Sequence, residues 1–211
     1  MSNRGIILAG GKSSRMGTNK ALLPIAGKTV VEWIIQEMDN LCSSVLIVAR
    51  DENIYRFTGR LVVLDIYEDA GPLAGIHAAF HAGEAEWSVV CSCDHPFASE
   101  ALFQLLLNEA EMAGSEVDAI IPLEHGRPQP LMAVYRHTAA TALDAALSLG
   151  QRRVMDWVNQ LNVRYLSLDE ALSDTDIDPE RVLFNMNYPE DYEIAQHMFL
   201  HPNDPAGGNK N

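Results

Sequence analysis

The chain has 211 residues, 47% of them hydrophobic, and its 29 Asp+Glu against 15 Lys+Arg give a formal net charge of −14. That acidic balance excludes a nucleic-acid groove, which rests on many distributed cations, and no run reaches the ~18 consecutive apolar residues of a membrane span. With no basic-then-apolar leader either, the sequence predicts a soluble, cytoplasmic protein: one domain over residues 1–200, at roughly 150 residues per domain, and a disordered tail over 201–211.

Apolar, β-rich runs recur at residues 5–8, 45–49, 61–64, 87–93, 119–123, 131–135 and 163–168, with helix-period segments between most of them. Such alternation implies parallel strands joined by crossover helices. The first helix is predicted from near Thr29 to near Leu41, because Thr29 and Glu32 have capping-box spacing and Val30, Ile34, Ile35, Met38 and Leu41 share one face. Ser99 is expected to cap a helix over 100–113, and Thr138 to open an alanine-rich helix that Gly150 stops. Around residues 124–130 the segment HGRPQP joins two apolar runs with an irregular loop instead of a helix, so a late antiparallel piece is expected. The predicted fold is α/β: three layers around a predominantly parallel mixed sheet, with a Rossmann-like nucleotide-binding half.

Between the first strand and the first helix lies LAGGKSSRMGTNK, residues 8–20. The first 31 residues contain five cations (Arg4, Lys12, Arg15, Lys20, Lys28) and no carboxylate. The pair Gly10-Gly11 lets backbone N–H groups face a ligand, while Lys and Arg supply charge-assisted bonds to phosphate. Ile6 stands where a Walker A loop needs its first glycine, and Gly10, Gly11 and Gly17 do not fit G-x-G-x-x-G. A solvated Gly/Ser loop is the plainer alternative. Cys42, Cys91 and Cys93 cannot all pair in one chain; they read as reduced core thiols, since no second Cys/His pair at zinc spacing accompanies Cys91 and Cys93.

Ligands of open α/β sheets bind at the carboxyl ends of strands, which directs attention to three further loops. Asp65 closes LVVL and precedes Gly71-Pro72-Leu73-Ala74-Gly75, where a carboxylate would meet a nucleoside and the glycines would allow close approach. Asp94 follows the run 87–93; one such carboxylate is sufficient for Mg²⁺, which takes one or two carboxylates plus substrate phosphates. Its alternative role is to cap the next turn, and His95 reads as a loop residue. Late in the chain, Arg127, Arg152, Arg153, Asn185 and Asn187 could recognise a second, anionic substrate. For Arg152 and Arg153 a solvated helix start fits equally, and Asn187 also suits the cap of a last helix before Pro189.

In this order the four zones resemble the molybdenum cofactor guanylyltransferase family of the nucleotide-diphospho-sugar transferase-like superfamily. The family pattern LAGGxSxRMGxxK stands at residues 8–20, followed by GPLAG, a strand ending in CD-x-P, Gly150-Gln151-Arg152-Arg153-Val154-Met155 and a terminal N-x-N-x-PED, so that the resemblance runs from about residue 4 to 199. It implies that Leu8, Ala9, Gly10 and Gly11 contact a guanine nucleotide, that Arg15 and Lys20 act on its phosphates, that Asp65 meets the nucleoside, and that Asp94 serves both nucleotide and Mg²⁺. Gly71, Gly75, Arg127, Arg152, Arg153, Asn185 and Asn187 would then face the second substrate. The implied reaction joins GTP to the phosphate of the molybdenum–molybdopterin cofactor with release of pyrophosphate, and the implied partners include cofactor-delivery or apoenzyme proteins. Two positions depart from the family: Asn19 where an acidic residue is frequent, and Ala49 where an asparagine is common. The alternatives are a cytidylyltransferase, a sugar- or polyol-phosphate nucleotidyltransferase, and a non-catalytic nucleotide binder.

Overall fold

The structure, a computed structural model, describes residues 2–10, 17–65, 67, 71–173, 175 and 177–201. Most of the phosphate-type loop, including Gly11, Lys12 and Arg15, lies outside the described residues, as does the tail beyond His201.

In chain order, β1 (Asn3–Leu8) is followed by the small strands β2 (Pro24–Ile25) and β3 (Lys28–Thr29) and by α1 (Val30–Asp39). Next come β4 (Ser44–Ala49), a 3-10 helix (Glu52–Thr58), β5 (Leu61–Leu64), α2 (Pro72–His81), β6 (Trp87–Ser92) and α3 (Glu100–Met112). The second half holds β7 (Ala119–Glu124), β8 (Arg127–Pro128), β9 (Met132–Arg136), α4 (Ala139–Ser148), α5 (Val154–Val158), β10 (Val163–Ser167), α6 (Leu168–Ala171), α7 (Pro179–Val182) and α8 (Pro189–Leu200).

The main sheet has the order β10-β7-β9-β6-β1-β4-β5, with β8 beside β7. β1 pairs in parallel with β4 and β6, β4 with β5, and β10 with β7, whereas β9 runs antiparallel to both β6 and β7. This is the expected mixed sheet, and β9 is its late antiparallel piece. Along β5-β4-β1-β6 the order reverses between β1 and β6, the position at which doubly wound sheets open a crevice.

The central strands β1, β4, β6, β7 and β9 are mostly apolar because both faces are covered, whereas the outer strands β5 and β10 keep exposed residues. Ile7, Ile47, Val89 and Cys91 face one core shared with α1, α3 and α8, while Ile6, Leu46, Val48 and Val90 face a second core with α2, α4 and α5. Adjacent residues thus feed opposite layers, as the period of two requires. α1 starts as its spacing predicts, with the Glu32 carboxylate accepting from the Thr29 N–H (2.8 Å) and hydroxyl (2.7 Å). Ser99 caps α3 through the Leu102 N–H. Thr138 stands at the N-terminal boundary of α4, as expected, but with a helical backbone and no side-chain capping bond, its hydroxyl donating instead to Asp118 Oδ1 at 2.9 Å. The HGRPQP segment is tighter than an irregular loop, since His125 (φ 47°) and Gly126 (φ 78°) form a two-residue turn that pairs Arg127 with Glu124.

α2 packs unusually close to the sheet because Gly75 has no side chain. A Cβ there would sit 3.1 Å from Leu8 Cδ2 and 3.3 Å from Val48 Cγ1. Gly75→Val should therefore cost about 1–3 kcal/mol by overpacking, read as a lower urea midpoint with an unchanged m-value; an unchanged midpoint would show that α2 is free to shift.

Candidate active site

At the carboxyl edge of β1, β4, β5 and β6 lies a cavity of about 460 Å³, within the range of small-molecule sites. Leu8, Ala9 and Gly10 form its floor, Asn19 to Ala21 one flank, Val48, Arg50 and Asp65 the next, Gly71, Pro72 and Gly75 the start of α2, and Ser92 to Asp94 with Leu131 the far wall. Eight sequence-predicted residues therefore meet in one cleft: Leu8, Ala9, Gly10, Lys20, Asp65, Gly71, Gly75 and Asp94.

Backbone pairing sets the floor. The Ala9 N–H donates to Val48 O (2.8 Å) and the Cys93 N–H to Leu8 O (3.2 Å), so β1 stays tied to both neighbours as the chain leaves the sheet. Gly10 faces Asp65: a Cβ on Gly10 would lie 3.9 Å from Asp65 Oδ2, an ordinary contact. Among the described residues nothing crowds a side chain there, and the glycine leaves an open approach to the cleft. Gly71 adopts φ 62°, ψ −145°, a region that side chains avoid, and Pro72 then starts α2 with its N-terminus at the cleft wall.

Asp94 is one-quarter exposed, and its Oδ1 accepts from the Ser92 hydroxyl. His95 is buried beside it, with Nε2 3.7 Å from Asp94 Oδ1. The Asp94 carbonyl accepts the Met186 N–H at 2.7 Å. One residue on, Asn187 Oδ1 accepts from Lys20 Nζ at 2.9 Å, and Asn187 Nδ2 donates to Asn185 Oδ1 at 2.7 Å. Residues 185–187 thus bridge the Asp94 loop to Lys20. Asn187 is not the helix cap: Tyr188 holds that position, and Asp191 accepts the N–H groups of both Asn187 and Tyr188 at 2.7 Å.

The positive charge is less concentrated than the first 31 residues suggest. Arg4 is buried on β1, donating to Gly83 O (2.6 Å) and Ser88 Oγ (3.3 Å), and burial holds its pKa below the ordinary value. Lys28 lies over the Trp33 ring, 4.7 Å from its centroid. The described cations lining the cleft are Lys20 and Arg50. Arg127, Arg152 and Arg153 are exposed and stand outside the lining, with Arg152 and Arg153 just ahead of α5.

Sequence reasoning passed over Tyr55, which stands with Ile54 and Phe57 in a polar stretch that carries no periodic signal. It is buried, and its hydroxyl accepts from Asn19 Nδ2 (2.9 Å) and donates to Ala9 O (3.3 Å), while Asn19 Oδ1 accepts the Ala21 N–H (3.1 Å). Burial pushes the phenol up to about 12, so it keeps its proton at neutral pH. A carboxylate at position 19 would take that proton for itself and leave Ala9 O unserved, whereas the carboxamide frees it. Asn19 and Tyr55 therefore operate as a pair that fixes the loop's exit.

The family model for the MobA-like NTP transferase domain matches residues 5–165. A relative from Bacillus cereus (strain G9842), named as a probable molybdenum cofactor guanylyltransferase, is 35% identical over 197 residues, spanning 91% of this chain and 94% of its own. One of the same name from Bacillus anthracis (strain CDC 684 / NRRL 3495) is 34% identical over equal spans. The crystal structure of molybdopterin-guanine dinucleotide biosynthesis protein A from Archaeoglobus fulgidus superposes with a TM-score of 0.78 at 29% identity, covering 92% of this chain and 97% of that one. A 2-C-methyl-D-erythritol 4-phosphate cytidylyltransferase from Thermus thermophilus shares the fold, with a TM-score of 0.68 at 18% identity over 95% and 100% of the two chains.

Tyr55→Phe removes the partner of both Asn19 Nδ2 and Ala9 O. The expected loss is about 1–2 kcal/mol of unfolding free energy, measured by urea denaturation, and an unaltered transition would mean that the pair does not hold the loop.

Proposed function

Since the chain belongs to the MobA-like NTP transferase family and is a nucleotidyltransferase, we propose that it transfers GMP from GTP to the phosphate of the molybdenum–molybdopterin cofactor, releasing pyrophosphate. The observation that carries this reading is the joining of Lys20 to the Asp94 loop by residues 185–187, at the carboxyl edge of the sheet. A lysine and the backbone of a carboxylate-bearing loop, tied through one segment at the cleft, are suited to holding a triphosphate and its metal. They are not suited to a protein-nucleophile mechanism.

In this proposal the backbone of Leu8, Ala9 and Gly10 holds the nucleotide, Gly11 contacts it as the sequence motif implies, and Asp65 accepts hydrogen bonds from the nucleoside. Lys20, together with Arg15, neutralises charge on the phosphates, and Arg50 adds a second described cation at the rim. The N-terminus of α2 behind Gly71 favours an anion by its dipole. Gly75, Asn185 and Asn187 stand on the acceptor's side; Arg127, Arg152 and Arg153 would reach it from beyond the cleft wall.

A divalent cation is usual for such enzymes, and the cleft fits Mg²⁺: Asp94 offers hard carboxylate oxygens, and one carboxylate with substrate phosphates is sufficient. Burial, then the nearby Asp94, pushes the neighbouring Cys93 thiol above its ordinary value. When bound, the ion would offset charge on the phosphates. Ser92 orients Asp94 for that role through Oδ1. The attacking phosphate oxygen is ionised at neutral pH, so no general base is assigned, and the chain's work is positioning and charge neutralisation. We place the reaction in the cytoplasm, where unpaired thiols such as Cys42, Cys91 and Cys93 are the norm, with a cofactor-delivery or apoenzyme protein as its further partner.

Asp94→Asn should lower transfer by on the order of 10²-fold or more while the thermal transition stays in place. Wild-type turnover at saturating Mg²⁺ would remove Asp94 from the mechanism. The base is tested by pyrophosphate release with molybdopterin and each of GTP, CTP, ATP and UTP. GTP is expected to lead by up to about 10⁴-fold, because a pocket built for hydrogen bonds rejects analogues that leave its groups unpaired. Preference for CTP, which Ala49 in place of the family's asparagine would permit, makes the enzyme a cytidylyltransferase; release with none of the four overturns the acceptor.

A further inference from the structure

Away from the cleft, α2 and α4 bring together three side chains that the proposed reaction does not use. His77 and His81 stand one turn apart on α2, and Asp144 reaches them from α4. Asp144 Oδ1 lies 3.0 Å from His77 Nε2 and 2.9 Å from His81 Nε2, and the three ligand atoms all fall within 4.8 Å of one another. Tetrahedral zinc with bonds of ~2.0–2.1 Å separates its ligand atoms by about 3.3 Å. Two edges of the triangle therefore need to open by only a few tenths of an ångström.

We propose that His77, His81 and Asp144 form a binding site for one divalent transition-metal ion of the zinc class, joining α2 to α4. Two imidazoles and a carboxylate are the donor set of zinc-type ions, whereas Mg²⁺ prefers oxygen alone. The setting is asymmetric in the way such a site requires. The His77 side chain is 8% exposed and forms the inner wall, with the edge of the Tyr67 ring against it at 5.0 Å between centroids, while His81 and Asp144 are about half exposed and leave an entry path and a fourth position for water. Burial, then the neighbouring His81, holds His77 below its ordinary pKa against the opposing pull of Asp144, which favours the neutral form that ligates.

Each histidine now directs Nε2 at Asp144, so loading the ion moves its ring proton to Nδ1. At His77 that atom is buried without a hydrogen-bond partner among the described residues. The site is thus weaker than a closed four-ligand structural zinc site, and it exchanges with solution metal. A comparison is built into the molecule. His197 and His201, also four apart, lie with tilted rings 4.5 Å apart between centroids, yet no carboxylate completes a three-ligand group with them among the described residues.

The test is equilibrium dialysis of the full chain against Zn²⁺ in excess Mg²⁺, with Co²⁺ substitution read by its visible d–d absorption and thermal unfolding followed with and without Zn²⁺. One ion per chain is expected, with four-coordinate Co²⁺ absorption and a raised Tm. His81→Gln and Asp144→Asn, both at partly exposed positions that keep the fold, should each weaken binding by on the order of 10-fold or more and abolish the Tm rise, while His197→Gln leaves both unchanged. The proposal is overturned by absence of binding, by binding that survives His81→Gln and Asp144→Asn, or by binding lost with His197→Gln. A lower Tm in His81→Gln with no Zn²⁺ bound to the wild type reduces the cluster to a hydrogen-bonded clamp, which also overturns it.

Discussion

Enclosure of β1 governs the architecture. Pairing with β4 and β6 satisfies both of its edges, and the two cores cover both faces, leaving Ile6 and Ile7 without solvent exposure. A strand so enclosed has no lateral exit for a polar group, and an unpaired buried backbone group costs roughly 1–3 kcal/mol. Ligand-directed backbone can therefore appear only where the strand ends. Because the chain returns from β5 to β6 on the other side of β1, the connections diverge above that end and leave a cleft between them. Leu8, Ala9 and Gly10 are placed there by the same constraint that makes the sheet stable.

The cleft is then closed from far along the chain. Residues 185–187 touch both the Asp94 loop and Lys20, which lie on different elements. Their bridge uses a backbone N–H and a carboxamide, so Lys20 is held without a countercharge from this segment. Tyr55 plays the corresponding part on the opposite flank, where it restrains the Ala9 carbonyl through a phenol that burial keeps neutral. Both devices fix geometry with neutral groups.

Much of the fold is legible in the residues themselves. Continuous apolar runs mark strands buried on both faces, and Thr29 with Glu32 marks the start of α1, because both are local consequences of backbone geometry. Legibility fails where a side chain serves a distant neighbour. Thr138 looks like a cap yet donates to Asp118, twenty residues earlier; Asn187 looks like a cap yet holds Lys20; Arg4 counts toward a basic loop by sequence position yet is consumed by Gly83 and Ser88. Polar side chains have several partners of similar strength, and tertiary proximity, not local preference, selects among them.

By itself, then, the sequence determined the alternation of strands and helices, the glycine-rich exit from β1 and the residue types of the site, since period, capping and turn chemistry act over a few residues. Only the tertiary structure decided that Lys20 is held through Asn187 to the Asp94 loop, that Tyr55 and Asn19 form one unit, that Arg127, Arg152 and Arg153 stand outside the cleft, and that His77, His81 and Asp144 meet. Those contacts join residues from well-separated parts of the chain. Loop closure and packing of two layers against the sheet must come first, and no local pattern in the residues encodes where that packing brings them.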